Sequence, residues 1–294
     1  MQDVPAKIEV AAFGESKMTF GELFEARFGI ALSGEAAEQN ILTGLTGQIL
    51  RRRTHRRYSD KPVPENLIDQ LLAVCLSASS KSDFQQASII KLKDPGKRAA
   101  IAKHFPKMPW IGASPVFLIF CADPRRLEEV GRLRGHYQPQ RDLEAFLNSS
   151  VDAALAMQTF ILAAEASGLG CCPISVIRNK IEDVVKILSL PPGVFPVSGL
   201  CVGYPSGEGH VSMRLPMALT VHTDGYEEKP LKEEIEMYDE RRAHRHATPR
   251  EEQRNPARFG YAEFYGWSED KARQAAEPEG EQFAKYIREN WFNL

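Results

Sequence analysis

The chain has 294 residues, of which 43% are hydrophobic and 26% charged, and its formal net charge at pH 7 is −2. This is the usual composition of a soluble globular protein with a real core. Nucleic-acid-binding domains normally carry a basic excess, whereas Asp and Glu here outnumber Lys and Arg by 39 to 37. The sequence therefore predicts no nucleic-acid partner.

Cysteine usage and the apolar segments indicate the cellular setting. The five cysteines include no C-x-x-C pair, which predicts neither a zinc site nor a redox dithiol. The N-terminus MQDVPAKIEVAAFGESK lacks a basic region followed by an apolar one, so we expect no signal peptide. The longest apolar segment, VDAALAMQTFILAAEA, is interrupted by Asp152, Gln158 and Glu165 and is too short to cross a bilayer. We predict a cytoplasmic protein without a metal or a membrane partner.

Helices and strands interleave along the chain. The segment MTFGELFEARFGIAL has helical spacing, and ILTGLTGQILRR forms a second short helix. A clearer helix covers PVPENLIDQLLAVCLSAS, with a predicted buried stripe of Leu67, Ile68, Leu71, Leu72 and Val74. ASIIKLK alternates as a strand does, and SPVFLIFCAD is a continuous apolar run typical of a strand buried on both faces.

The longest predicted helix covers residues 141–167 and is apolar nearly all round in its middle. Such a helix is buried in a core or between subunits, and SGLG supplies a glycine stop at its end. A strand (CCPISVI), a helix (KIEDVVKIL) and another strand (PVSGLCVGYP) follow. Neither G-x-G-x-x-G nor G-x-x-x-x-G-K-S/T occurs, so the pattern indicates neither a Rossmann fingerprint nor a P-loop.

We predict three segments along the chain, of which the last is distinguished by its composition. These are an N-terminal extension at 1–48, a main domain at 49–224 and a C-terminal arm at 225–294. The arm is strongly charged, with aromatic residues spread through polar sequence. Because an arm of that composition cannot build its own core, we expect it to wrap over the main domain or a partner subunit.

The stretch RRRTHRRYSD, residues 51–60, contains five arginines and one histidine. One interpretation is a solvated basic surface loop. The other is an anion site, since guanidinium groups of Arg53 and Arg56 can form bidentate bonds and the Thr54 hydroxyl can donate to the same phosphate. The near-neutral net charge of the chain favours one compact anion over an extended polyanion.

RRTHRRYSDKPVPENLIDQLL resembles the opening motif of the nitroreductase family, flavin mononucleotide (FMN)-dependent NAD(P)H oxidoreductases in which an R-R-S-x-R-x-F-like segment holds the flavin phosphate. Four further segments resemble family motifs in the family's order: SASSKSDFQQASIIKL, AAEASGLGCCPISVI, PVSGLCVGYP and MRLPMALTVH. The flanks FGELFEARFG and GWSEDKARQ are similar to extensions in one branch. The resemblance implies an α+β fold with a central, mostly antiparallel sheet, flanked by helices around a long buried helix. It also implies a homodimer with an extended C-terminal arm, in which residues 49–224 form the FMN-binding domain.

The resemblance further implies where FMN binds. Five residues would hold its phosphate and ribityl end: Arg52, Arg53, Thr54, Arg56 and Arg214. Six residues of the partner protomer's loop would line the ring or ribityl chain: Ser79, Ser80, Lys81, Ser82, Asp83 and Gln85. Pro173, Ile174 and Ser175 would pass the N5 edge of the flavin, where a backbone N–H can hydrogen-bond N5.

Two segments depart from the family pattern. Asp83 stands where the family has Asn, Q-Q-A replaces the usual Q-P-W, and Val176 stands where relatives often have Gly. A carboxylate near a flavin that becomes anionic on reduction is unfavourable, unless Lys81 neutralises it or it faces the substrate. These departures leave open the shape of the pocket above the ring, and hence the choice of substrate.

The function implied by the resemblance needs no acid, base or nucleophile from the protein, because the cofactor performs the redox chemistry. NADH or NADPH would reduce the flavin in a ping-pong cycle and leave. A small aromatic acceptor, a nitroaromatic or a quinone, would then take two electrons in the same pocket. Two alternatives stay open: a same-fold flavoenzyme for reductive dehalogenation or dehydrogenation, and a non-enzymatic anion- or RNA-binding protein. Flavin sites at the subunit interface imply an obligate homodimer.

Overall fold

The computed structural model describes residues 18–31 and 44–293. Of the predicted N-terminal extension, residues 1–17 and 32–43 therefore lie outside the described residues. The chain divides into two compact units. We call the described residues of Arg53–His210 and Gly280–Leu294 the sheet unit, and those of Ser16–Arg52 and Val211–Glu279 the helical unit. The three predicted segment boundaries stay a prediction.

The sheet unit is built on four antiparallel strands in the order β1-β2-β4-β3. The strands are β1 (Ala87–Lys91), β2 (Val116–Ala122), β3 (Gly170–Ile174) and β4 (Phe195–Gly203). Strands β2 and β4 are central and almost wholly buried, as their continuous apolar sequences predict. The predicted α+β fold with an antiparallel central sheet is confirmed.

Helices surround this sheet and make up the helical unit. In chain order they are α1 (Phe20–Phe28), α2 (Gly44–Arg51), α3 (Glu65–Cys75), α4 (Pro95–Lys103), α5 (Trp110–Ala113), α6 (Arg125–Arg134), α7 (Leu143–Ala166), α8 (Ile181–Leu188), α9 (Met217–Thr220), α10 (Leu231–Arg245), α11 (Pro256–Phe259), α12 (Trp267–Ala275) and α13 (Glu281–Asn290). Short 3₁₀ turns lie at Lys81–Asp83, Ser175–Lys180 and Arg250–Glu252. Helices α1, α2 and α9 to α12 belong to the helical unit.

Helix α3 shows where the predicted buried stripe was right and where it was wrong. Leu67, Ile68 and Leu71 are buried in the core cluster, together with Cys75. Val74, in contrast, is 48% exposed. At 100° per residue it lies beside the stripe rather than on it, because Cys75 takes the inward position at this turn.

Helix α7 crosses the sheet and organises the core. It begins at Asp142, whose side chain accepts a hydrogen bond from the Ala145 N–H at 2.9 Å, and Gly168 follows its end with φ of 84°. Its inner face packs Phe160 edge-on against Phe120 of β2, with ring centroids 6.1 Å apart. Among the described helices, α7 is the one long and apolar enough to cross a membrane by length and composition. Its packing on the sheet accounts for the apolar residues of its inner face.

The outer face of α7 is also apolar. Leu143, Leu147, Val151 and Leu155, spaced four residues apart, are 65%, 52%, 46% and 41% exposed. Residues four apart lie on one face of a helix, so these side chains form a continuous ridge, which we call the outer ridge. The sequence predicts a helix that is apolar nearly all round. Within a single chain, one side of this helix is buried and the other is exposed.

The last helix, α13, returns to the sheet unit. Phe292 and Ile287 are buried in a cluster with Phe195 of β4, and Phe146 of α7 stacks on Phe195 with centroids 5.2 Å apart. Gly193 permits this docking: its φ is 85°, and a Cβ there would lie 2.7 Å from the Trp291 ring. The end of the predicted C-terminal arm thus packs on its own chain.

Candidate functional site

The basic loop, residues 53–57, docks along the sheet. The His55 N–H donates to the Cys171 carbonyl at 3.1 Å, and the Ser206 N–H donates to the Arg57 carbonyl at 3.2 Å. The Tyr58 hydroxyl donates to the carbonyl oxygens of His55 at 2.7 Å and Cys201 at 3.2 Å. Burial raises the pKa of Tyr58 far above its ordinary value, so the hydroxyl keeps its proton and remains a donor. The backbone of the basic loop is thereby fixed.

Two arginines of this loop contact groups other than carboxylates. Arg53 Nη1 donates to the Glu208 carbonyl at 2.9 Å, and the Arg56 guanidinium lies 5.6 Å from the Trp110 ring centroid. Neither arginine forms an ion pair within the described part of the chain. Thr54 is half-buried between them. Guanidinium and hydroxyl groups are the donor types that a phosphate accepts from, and neither guanidinium has a counter-charge among the described residues, so the donor set fits the group that the resemblance implies.

The second predicted segment, residues 79–85, has a strained backbone. Ser82, Asp83 and Gln85 have φ of 48°, 58° and 53°, the left-handed region that non-glycine residues rarely occupy. Such residues persist only where their surroundings fix them, and they cluster at ligand sites. We call residues 79–85 the strained loop.

A single buried carboxylate fixes both ends of the strained loop. Asp152 of α7 is 3% exposed. Its Oδ1 accepts from the Lys81 N–H at 2.9 Å and its Oδ2 from the Gln86 N–H at 3.0 Å. The sequence showed Asp152 as an interruption of an apolar helix, but its role depends on contacts that sequence spacing does not reveal.

Arg126 of α6 holds the strained loop from its C-terminal side. Its Nη1 donates to the Gln85 carbonyl, and its Nη2 donates to Ser88 Oγ at 2.6 Å and Asp123 Oδ2 at 3.0 Å. The Asp123 N–H donates to the Gln86 carbonyl at 2.8 Å. Sequence reasoning missed this residue, because it is one of several arginines in a charged helix.

The predicted side chains of the strained loop point into solvent. Lys81, Ser82, Asp83 and Gln85 are exposed, as is Ser79, whereas Ser80 is half-buried. The Asp83 carboxylate accepts from the Gln85 side-chain amide at 3.0 Å. Lys81 forms no ion pair with it among the described residues.

Gln86 supplies a further donor beside the strained loop. It is 2% exposed, and its Nε2 has no hydrogen-bond partner among the described residues. A buried amide donor normally has a partner, so this one suits a polar ligand atom.

The third predicted segment lies at the outer edge of β3, the last strand of the sheet. Cys172 and Ile174 pair with β4, while the Cys171 carbonyl faces outward to His55. Alternate residues of a strand share a side, so Pro173 also faces outward, where its missing N–H costs no ladder bond. Ser175 is exposed and begins the 3₁₀ turn that follows β3.

The remaining predicted phosphate residues, Arg52 and Arg214, belong to the helical unit. Arg214 is exposed, and its Nη1 donates to the Ser212 carbonyl at 3.2 Å. The Arg52 carbonyl accepts from Arg27 Nη2 at 2.6 Å, and the Arg214 N–H donates to the Arg27 carbonyl at 2.8 Å. The structure thus ties the backbones at both positions to Arg27. Sequence reasoning assigned α1 only its helical spacing.

No described hydrogen bond or ion pair joins Arg53, Thr54 or Arg56 to the strained loop. This is compatible with the expectation that the strained loop serves the partner protomer's flavin. The contributions of individual site residues stay predictions.

Residues 49–204 match the nitroreductase family, and residues 212–294 match the C-terminal domain of the nitroreductase family. The chain belongs to the nitroreductase family. The resemblance drawn from five sequence motifs is thereby confirmed.

Known nitroreductase-family proteins are similar over most of their length. An FMN reductase [NAD(P)H] of Bacillus subtilis (strain 168) is 35% identical over 193 residues, which are 64% of this chain and 77% of that protein. An oxygen-insensitive NADPH nitroreductase of Salmonella typhimurium is 35% identical over 200 residues, 67% of this chain and 80% of that protein. The solved structure of B. megaterium NfrA2 superimposes with a TM-score of 0.75 at 30% identity, covering 84% of this chain and 97% of that one.

Proposed function

We propose that this nitroreductase-family enzyme uses NAD(P)H to reduce nitroaromatic or quinone acceptors by two electrons, in a ping-pong cycle. The chain is an FMN-dependent NAD(P)H oxidoreductase, as family membership and two relatives named for FMN, NAD(P)H and NADPH support. The nitroaromatic acceptor is supported by the NADPH nitroreductase relative. Arg53 and Arg56 carry the proposal, because they form no ion pair among the described residues and lie close to Thr54 in sequence, which supports a phosphate site for FMN.

Bound FMN would supply the redox chemistry between the nicotinamide donor and the acceptor. The protein's part is to hold and orient. Arg53, Thr54 and Arg56 would bind the phosphate, with Arg52 and Arg214 of the helical unit as further ligands. The outer edge of β3 would supply a backbone N–H at Ser175.

The strained loop supplies position rather than proton transfer. Asp152 and Arg126 fix its backbone, so the side chains from Ser79 to Gln85 are presented without further ordering. The Gln86 amide offers a buried donor. Asp83, held by Gln85, places a negative charge at the rim and would discriminate among acceptors by their charge.

The outer ridge of α7 supports a homodimer. Monomeric proteins rarely expose a continuous apolar patch of this kind, and a second copy would cover it. We infer that the cytoplasmic enzyme is an obligate homodimer whose flavin sites use residues of both chains. Sedimentation as a flavin-bound monomer would contradict this.

An absorption spectrum of the purified protein tests the proposed function first. We expect flavin bands that bleach under anaerobic NADH or NADPH and recover on addition of a nitroaromatic or a quinone. Bleaching without recovery would favour the alternative reactions, reductive dehalogenation or dehydrogenation. A colourless protein that takes up no added FMN would contradict the proposal and favour a non-enzymatic anion-binding protein.

A further inference from the structure

One buried arginine in the N-terminal extension donates hydrogen bonds to carbonyl groups in two parts of the helical unit that are distant in sequence. Arg27 lies near the end of α1 and is 6% exposed. Its Nε and Nη2 donate to the Leu50 carbonyl at 2.9 and 2.6 Å, and Nη2 also donates to the Arg52 carbonyl at 2.6 Å. Its Nη1 donates to the Ser212 carbonyl at 2.8 Å.

The segments contacted in this way are those that carry Arg52 and Arg214. Arg27 also uses its own backbone, because its carbonyl accepts the Arg214 N–H at 2.8 Å. One residue therefore contacts the main chain at positions 50, 52, 212 and 214. A buried guanidinium must have its donors satisfied, so these carbonyl groups cannot move away from it without a large cost.

A second contact seats the segment at 212–214. Gly29, with φ of 70°, ends α1, and a Cβ at this position would lie 2.3 Å from Met213 Cε. On the other side, the buried Tyr238 hydroxyl donates to the Met213 carbonyl at 3.2 Å. Helices α1 and α10 thus hold Met213 from two sides, while the neighbouring Arg214 side chain stays exposed.

We propose that Arg27 is a positioning residue for the FMN phosphate, which acts by fixing the backbones of Arg52 and Arg214. The inference rests on the proposed function, in which those two arginines bind the phosphate. Long, flexible arginine side chains bind an anion well only when their Cα positions are fixed, because the entropy of ordering them opposes binding. The extension before residue 49 therefore contributes to cofactor binding without touching the cofactor.

The proposal is tested by a ratio of two dissociation constants, that for riboflavin divided by that for FMN. Riboflavin lacks the phosphate, so the ratio isolates the phosphate contribution from the fold and the ring site. The full-length apo-protein is titrated with each flavin and binding is followed by flavin fluorescence. We expect Arg27→Met to lower the ratio about tenfold or more, the size of one charge-assisted hydrogen bond, by weakening FMN binding alone.

Two variants separate position from charge. Arg27→Lys keeps the positive charge, but one ammonium group cannot reach three carbonyl groups in the same geometry, so the ratio should fall as well. Arg245→Met removes contacts to the same end of α1, namely the hydrogen bond to the Ala26 carbonyl at 3.1 Å and the ion pair with Glu25. It reaches neither phosphate segment and should leave the ratio unchanged.

The positioning role would be overturned if Arg27→Lys kept the wild-type ratio. It would also be overturned if Arg27→Met lost equal affinity for FMN and for riboflavin. Should Arg27→Met not fold, the same two outcomes are judged on Arg27→Lys. Arg52→Met and Arg214→Met are measured alongside. If these leave the ratio unchanged, the phosphate assignment itself is wrong; if they lower it and the Arg27 variants do not, only the positioning inference fails.

Discussion

The basic loop and the strained loop of the sheet unit are held in opposite ways. The basic loop is held through its own backbone, at His55 and Arg57. The strained loop is held by Asp152, whose two partners lie 71 and 66 positions away in sequence, and by Arg126. A loop fixed by neighbours on a strand can be recognised from its own residues, whereas a loop fixed from distant helices cannot.

Removing the anchor of the strained loop should have the largest effect. Asp152→Ala leaves the buried Gln86 N–H and the Lys81 N–H without their carboxylate acceptor, and we expect the free energy of unfolding to fall by about 2–5 kcal/mol, with loss of NAD(P)H turnover. Urea unfolding followed by circular dichroism and steady-state kinetics measure the two effects.

A control on the same helix separates stability from loop position. Asp142→Ala removes only the cap of α7, which should cost about 0.5–2 kcal/mol and leave turnover intact. Unchanged turnover in Asp152→Ala would show that the strained loop does not depend on this carboxylate.

A substitution in β3, the strand on which the basic loop lies, can displace this loop. A Cβ at Gly170 would lie 2.8 Å from His55 Cβ and Cγ, so Gly170→Ala must push the loop off β3. We expect about 1–3 kcal/mol of destabilisation and weaker FMN binding, measured by thermal unfolding and flavin titration. Gly207→Ala is the matched control, because a Cβ there meets nothing within 4 Å. Equal FMN affinity in both variants would contradict the docking described for this loop.

Loosening the other side of the strained loop should act on catalysis more than on folding. Arg126 is 43% exposed, so the hydrogen bonds and the ion pair that Arg126→Met removes contribute only modestly to the stability of the fold. The loop would lose its contact at the Gln85 carbonyl, and we expect kcat/KM for NAD(P)H to fall about tenfold. Arg125→Met, which breaks only the exposed pair with Glu129, should change neither quantity. A loss of the same size in both variants would argue for a general effect of charge on α6.

Local sequence predicted the fold well and supplied the candidate phosphate loop. The apolar runs of β2 and β4 and the long α7 are properties of consecutive residues, and so are the arginines around Thr54. The positions of Asp152, Arg126 and Arg27 could not be predicted, because each acts through main-chain groups far away in sequence. The stripe on α3 failed at Val74 for a simpler reason: the periodic pattern has two candidates at that turn, and packing selected Cys75.

The smallest expected effect is electrostatic and concerns Asp83, where the chain departs from its family. Asp83→Asn removes a negative charge but keeps an oxygen that can accept from the Gln85 amide, so the loop geometry should persist. If Asp83 lies near the bound flavin, removal of its charge stabilises the anionic reduced form. We expect the two-electron midpoint potential to rise by about 10–30 mV, equivalent to roughly 0.5–1.4 kcal/mol for a solvated charge pair.

Lys81 provides the variant of opposite sign on the same loop. Lys81→Met removes a positive charge from the exposed face and should lower the potential by a similar amount, if both side chains lie at comparable distances from the ring. Both shifts should shrink as ionic strength rises, because exposed charges are screened within about 10 Å at 0.1 M salt. Equal potentials in wild type and both variants would show that the strained loop faces the acceptor. Asp83 would then discriminate among acceptors by their charge. A comparison of kcat/KM for cationic and anionic quinones tests this.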